Sequence, residues 1–226
     1  GERSGRAGAR LIQAEERVAI AAGTRIEWIL ADLAVNAAGA ATTTVYPSTL
    51  ADDVSYILSD SDSQIVFAED DEQIEKLRQK RSELPSVKKV VTFDGATDGD
   101  WVISLDDLIA LGEELLATNP NVVQERVDAT GPESLATLIY TSGTTGRPKG
   151  VRLPHDCWTY EGAAVAAPGF VTAEDLEFRW LPLAHSFGKV LMATQLATGH
   201  ACAVDGRVAK IVDNLAVVKP TFMGAA

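Results

Sequence analysis

Apolar positions along the chain alternate between short continuous runs and three-to-four spacing. Arg17 to Ala22 is a short run suited to a buried strand, and Ile26, Ile29, Leu30, Leu33 and Ala37 then recur at helical spacing up to Gly39. Thr42 to Tyr46 is β-branched and closed by Pro47, and Val54, Ile57 and Leu58 mark one face of a helix from about Leu50 to Ser59. The alternation repeats with a strand from Gln64 to Ala68, a helix from Glu72 to Leu84 and a strand from Lys88 to Phe93, closed by Asp94-Gly95. This order predicts an α/β fold, a doubly wound and mainly parallel sheet with helices on its faces. The first turn, Ala22-Gly23-Thr24-Arg25, lacks the second and third glycines that admit a pyrophosphate, which excludes the dinucleotide-binding variant.

The second half is less regular. Asp94 to Asp100 reads as a loop, and Leu105 to Leu116 as an amphipathic helix with Leu108, Leu111, Leu115 and Leu116 inward, stopped by Asn119-Pro120. Its acidic residues Asp106, Asp107, Glu113 and Glu114 diverge around the helix, so they read as a solvated face rather than a metal cluster. Leu135, Leu138, Ile139 and Tyr140 make a buried strand, and Val151 to Leu153 resumes an extended one. His155-Asp156 opens a helix through about Val165, with Asp156 as N-cap. From Trp180 to Gly188 the chain predicts a strand and a tight passage, then a helix to about Ala197.

The net charge of −12 disfavours nucleic acid or an anionic membrane as a general partner. Phosphate binding then falls to a local basic loop. Cys157 and Cys202 lack metal-ligand spacing and read as two buried thiols, which fits a reducing cytosol. No run reaches the roughly 18 apolar residues of a transmembrane helix, because Pro47, Lys189 and His200 interrupt the candidates. The expectation is a cytoplasmic protein with room for peripheral association at a membrane. Residues 1–16 are expected to be a frayed end.

The chemistry concentrates between Thr137 and Gly150, Thr-Leu-Ile-Tyr-Thr-Ser-Gly-Thr-Thr-Gly-Arg-Pro-Lys-Gly. After the apolar run the side chains shrink to hydroxyls and glycines. Glycines let backbone N–H groups turn inward as an anion nest, the hydroxyls add donors, and Lys149 adds a mobile positive charge. The spacing is not that of the P-loop, since counting from Gly143 puts Pro148 where a second glycine should stand. His185, held between Pro182 and Gly188, sits at a bend where a side chain can face a pocket, whereas His155 and His200 read as structural.

The run Tyr140 to Gly150 is similar to the signature of the adenylate-forming, AMP-binding superfamily. Arg25-Ile-Glu-Trp28, Ala38-Gly39-Ala40, Tyr46-Pro47, Tyr56-Ile-Leu-Ser-Asp60 and Leu181-Pro-Leu-Ala-His185 resemble, in order, the long-chain fatty-acid CoA ligases. Such acid–thiol ligases join a carboxylate to the α-phosphate of ATP, release pyrophosphate, and pass the acyl group from AMP to coenzyme A. The resemblance implies that Thr141, Ser142, Gly143, Thr144, Thr145, Gly146 and Lys149 surround the β- and γ-phosphates. It places His185 beside the acyl-carboxylate pocket and makes Lys149 and His185 the catalytic candidates. Preorganised donors and a cation at the leaving pyrophosphate would lower the barrier.

The same resemblance implies that residues 17–226 are a partial adenylation domain without the C-terminal lid domain. The family's adenine-binding, Mg²⁺-ligating and adenylation-lysine motifs have no counterpart here, so Mg²⁺ would take its ligands from outside this chain. Two expectations follow. One is a partial ligase, inactive in isolation, completed by sequence or a complementing polypeptide encoded elsewhere. The alternative is a non-catalytic remnant that binds anions weakly or pairs through its unfinished sheet.

Overall fold

The computed structural model describes residues 12–141 and 146–225. The first half runs β1 (Arg17–Ala21), α1 (Ile26–Ala37), β2 (Ala41–Val45), α2 (Ala51–Asp60), β3 (Ser63–Ala68), α3 (Asp71–Gln79), β4 (Lys89–Thr92) and β5 (Val102–Ser104). It continues through α4 (Leu105–Thr118), α5 (Val122–Ala129), β6 (Leu135–Thr141), β7 (Lys149–Pro154), α6 (His155–Ala166), β8 (Leu176–Arg179), α7 (Ser186–Thr198), β9 (Ala201–Val204) and α8 (Ile211–Val218). Seven strands form one sheet in the order β5-β4-β3-β1-β2-β6-β7, parallel except for β7, which pairs antiparallel with β6. Strands β8 and β9 make a separate parallel pair.

The order dictates the layers. Right-handed crossovers put a helix on one face when the chain steps one way along the sheet and on the other when it steps back. The step from β1 to β2 runs one way, and the steps to β3 and β4 run the other. Accordingly α2 and α3 pack Val54, Ile57, Leu58, Ile74 and Leu77 on one face, against Ala19, Ala21, Val66 and Val90. On the opposite face α1 packs Trp28, Ile29 and Val35 against Val18, Ile20 and Phe67. Alternate β1 residues serve the two cores, the period-2 habit of a strand covered on both faces. The return from β5 to β6 repeats the direction of the first step, and Leu105 and Leu108 of α4 pack on the α1 side.

Several boundaries differ from expectation. The third helix ends at Gln79 and gives way to a 3₁₀ turn, Arg81–Glu83. Helix α4 buries none of its leucines fully, and Leu111 and Leu116, expected inward, are exposed. The expected strand at Trp180 lies upstream, at 176–179. Pro154, not Asp156, caps α6, and Asp156 falls in its first turn. Strands β5 and β9 and helix α5 are too short to carry a clear apolar signature, and α8 was not expected although Ile211, Leu215 and Val218 recur at helical spacing. Of residues 1–16, expected as a frayed end, 1–11 lie outside the described residues; within the rest, Glu15 N–H donates to Gly39 O at 2.7 Å and its carboxylate accepts from Leu135 N at 3.0 Å. Cys157 and Cys202 are free, but only partly buried. Among the described residues no helix is long and apolar enough to cross a membrane.

Candidate functional site

The glycine-rich segment joins the two antiparallel strands at the edge of the sheet. Ser142, Gly143, Thr144 and Thr145 lie outside the described residues. Thr141 and Lys149 form the last register pair of β6 and β7, and Tyr140 faces Gly150 one step earlier. Both Thr141 and Lys149 are exposed. Gly146 has φ +121°, a conformation that side-chain-bearing residues rarely adopt, and among the described residues a Cβ there would meet nothing within 4 Å. The glycine meets the backbone's need for a positive φ.

Aromatic packing anchors the base of the hairpin. A Cβ on Gly150 would come within 3.0 Å of Tyr140 Cζ, so the glycine lets that ring lie across β7. Tyr140 Oη donates to Asp60 at 2.7 Å, and its ring meets Tyr56 edge-on at 6.5 Å. Burial, then the neighbouring Asp60 charge, raises the Tyr140 pKa and keeps the phenol protonated as a donor. The Arg147 guanidinium stacks 5.0 Å from the centre of the Tyr56 ring. The exit of the loop is thereby tied to α2.

His185 is the N-cap of α7, its Nδ1 accepting the Phe187 N–H at 3.2 Å while the ring stays exposed. Gly188 permits this turn, because a Cβ there would lie 2.3 Å from Pro182 O. Two buried threonines pin the preceding segment. Thr24 Oγ1 donates to Leu181 O at 2.7 Å and accepts from Leu183 N at 3.2 Å, and Thr44 Oγ1 donates to Ala184 O at 3.0 Å. Thr44 is paired in register with Ile139, two residues before Thr141. The His185 turn therefore docks on the sheet at the end from which the glycine-rich hairpin emerges. A cavity of about 250 Å³ lies there between Thr44, Tyr46, Asp53, Ile57, Tyr140 and Pro148.

The other two histidines differ from each other. His200 is buried, with Nε2 3.0 Å from Glu177 Oε2 and Nδ1 2.6 Å from Thr198 Oγ1, a structural role. His155 is half-buried, and its Nε2 has no hydrogen-bond partner among the described residues. Burial, then the Lys189 charge, lowers its pKa. It lines an apolar cavity of about 430 Å³ with Asp32, Trp158, Lys189, Met192 and Leu196.

In the sequence Lys189 stands out only as an interruption of an apolar run. It is 3% exposed, and its ammonium reaches both carboxylate oxygens of Asp32, at 2.7 and 2.9 Å, and Thr137 Oγ1 at 3.1 Å. The available signal was a charge four residues after His185 in an otherwise apolar helix, matched by Asp32 in the apolar run of α1.

The order β2-β1-β3-β4-β5 would, in related doubly wound folds, direct a phosphate to the crevice between β1 and β3. Here that crevice is filled. Glu69 accepts from the Gly23 N–H at 2.8 Å, and Arg25 is held by Glu27 at 2.6 Å and Asp94 at 2.5 Å. Carboxylates surrounding the turn repel an anion, which leaves the β6–β7 hairpin as the phosphate candidate. Among the described residues no group of three or more His, Cys, Asp or Glu is placed to hold a metal ion.

A mostly parallel sheet with helices on both faces matches the N-terminal domain of the adenylate-forming enzymes. The AMP-binding enzyme family matches residues 2–226, and the chain belongs to that family. Among curated relatives, it is 31% identical over 214 residues to the long-chain-fatty-acid–CoA ligase FadD15 of Mycobacterium tuberculosis, covering 94% of this chain and 34% of that protein. It is 30% identical over 229 residues to long chain acyl-CoA synthetase 4 of Arabidopsis thaliana, covering 95% of this chain and 33% of that one. The chain thus spans about a third of the length of the curated relatives it matches. The fold is similar to a long-chain-fatty-acid CoA ligase from Rhodopseudomonas palustris, described as putative (TM-score 0.75, 21% identity, 95% of this chain and 51% of that one). It also resembles the anthranilate CoA ligase AuaEII in complex with anthranoyl-AMP (TM-score 0.75, 18% identity, 94% and 40%).

Proposed function

We propose that this chain supplies the triphosphate grip, and one wall of the acyl site, of a fatty-acid CoA ligase. The observation that carries the reading is the hairpin, which sets the Thr141 hydroxyl and the Lys149 ammonium opposite each other, exposed, beside the docked His185 turn. ATP fits this donor set. The hydroxyls and glycine backbone from Thr141 to Gly146 would hold the β- and γ-phosphates, with Lys149 neutralising charge on the departing pyrophosphate. The bond that forms joins a carboxylate oxygen to the α-phosphorus, and the bond that breaks is the α–β phosphoanhydride. In the second half-reaction the thiol of coenzyme A attacks the acyl carbonyl and AMP leaves. His185, capping α7 with its ring exposed, would face the carboxylate.

The described residues offer no set of carboxylates that fits Mg²⁺. Recognition of adenosine and a second cation near the α-phosphate would also fall to sequence outside this chain, so the chain alone should not make acyl-CoA. The second reading, a non-catalytic interaction module, draws on the sheet edge at β7 and on Val212 and Val217 of α8, 79% and 83% exposed. The discriminating experiment supplies fatty acids, ATP, Mg²⁺ and coenzyme A to a polypeptide of the relatives' full length containing this chain, and to the chain alone. Acyl-CoA from the former only is the expected result. None from the former would favour the second reading.

A further inference from the structure

We infer that Asp32 and Lys189 form a positioning pair that fixes the glycine-loop strand against the helix carrying His185. This inference rests on the catalytic reading above. The pair joins three elements. Asp32 lies on α1, Lys189 on α7, and Thr137, the third partner, on β6. Asp32, Thr137 and Lys189 are 1%, 0% and 3% exposed. An ammonium has three protons, and each has an acceptor here, the two Asp32 oxygens and Thr137 Oγ1. Trp158 Nε1 donates to the same Thr137 oxygen at 3.1 Å, which brings in α6. The rings of Trp28 and Trp158 lie 5.7 and 5.2 Å from the ammonium, and His155 faces the same cavity with its pKa lowered in part by Lys189.

Apolar side chains would fill this space at no loss of stability, because desolvating a buried ion pair offsets most of its attraction. What the pair adds is geometric. An apolar contact lets two elements slide, whereas a bidentate carboxylate and a third directed bond admit one register. Both ends of that register lie near the proposed chemistry. Thr137 is four residues before Thr141 on one strand, about 13 Å at strand rise. Lys189 is one helical turn after His185, and its backbone N–H donates to His185 O at 3.2 Å. A displacement of about 1 Å between reacting groups can reduce turnover by about 10²-fold, so the register of hairpin against helix is worth a buried charge.

The test is the double variant Asp32→Leu/Lys189→Met in the complete enzyme, read by fatty-acid-dependent ATP–pyrophosphate exchange and thermal unfolding. The expected result is an unchanged melting temperature, a kcat reduced about tenfold or more, and KM for ATP within about threefold of wild type, since ground-state phosphate contacts are retained. Wild-type kcat in the folded double variant overturns the inference. Should the double variant not fold, Thr137→Val decides: it keeps the shape and removes the third acceptor. A severalfold loss of kcat supports the pair's role, and an unchanged kcat overturns it.

A second measurement uses this chain alone. Loosened register raises hydrogen exchange at the Thr141 and Phe187 amides together in either variant; exchange unchanged at both overturns the inference. Lys149→Ala, run in parallel in the complete enzyme, separates the two levels. Loss of exchange there with a fully active Asp32→Leu/Lys189→Met variant discards only the positioning pair. No effect of Lys149→Ala discards the catalytic reading, and the positioning role with it.

Discussion

Thr141 and Lys149 stand opposite each other as the last register pair before the glycine-rich turn. Residues directly opposed in a ladder point to the same face of the sheet, so the hydroxyl and the ammonium share one side of the hairpin mouth. In this chain alone, that grip is expected to read phosphate and not base. ATP, GTP and inorganic triphosphate should bind weakly and about equally, with affinity falling steeply from low salt to about 0.15 M and above as exposed charge is screened. Titration calorimetry at two ionic strengths measures it. A tenfold preference for ATP over GTP would show a base pocket among these residues.

Arg179 and Glu177 make a fully buried ion pair in the second sheet, both side chains 0% exposed. Arg179 Nε meets Oε1 at 3.1 Å and Nη2 meets Oε2 at 2.5 Å, with Gln195 Oε1 and Leu191 O completing the guanidinium. Arg179→Leu leaves the buried Glu177 carboxylate without its guanidinium, held by His200 Nε2 at 3.0 Å, and should cost about 3–5 kcal/mol. Urea unfolding checks this, and a loss below about 1 kcal/mol would mean that water reaches Glu177.

The lowered pKa of His155 has a definite sign. The folded protein disfavours the proton that the unfolded chain takes up near its ordinary value of 6.5, so the unfolded state binds more protons below that point. The stability contribution is complete above pH 6.5 and is lost as pH falls through the lower folded value. The urea midpoint should therefore drop between pH 7.5 and 5.5, and drop less in His155→Gln. Equal drops in both would place the titration elsewhere.

The fold was legible wherever a strand and its helix were both strongly patterned. β1 through β4 combine apolar or β-branched runs with helices of clear period, and each is buried on both faces as those runs implied. What escaped was short or half-covered. β5 is three residues long, and α4 meets the core through only part of its apolar stripe, leaving Leu111 outside. Of the candidate site, Thr141, Gly146, Lys149 and His185 could be named from composition at turns, because small residues, a lysine and a bend carry local signatures. Asp32 and Lys189 could not. They lie 157 positions apart, and their charges make sense only once α1 and α7 pack on the same face of the sheet.

The most direct test of the account is ATP–pyrophosphate exchange with a fatty acid, comparing wild type with Lys149→Ala in a polypeptide of the relatives' full length. Lys149 is exposed, so its truncation should leave folding intact while removing the cation at the leaving group. Loss of one preorganised charge-stabilising donor costs about 2.7–4 kcal/mol. Exchange should depend on fatty acid in the wild type and fall about 10²–10³-fold in the variant. Exchange in Lys149→Ala at the wild-type rate, with the protein folded, would contradict the account.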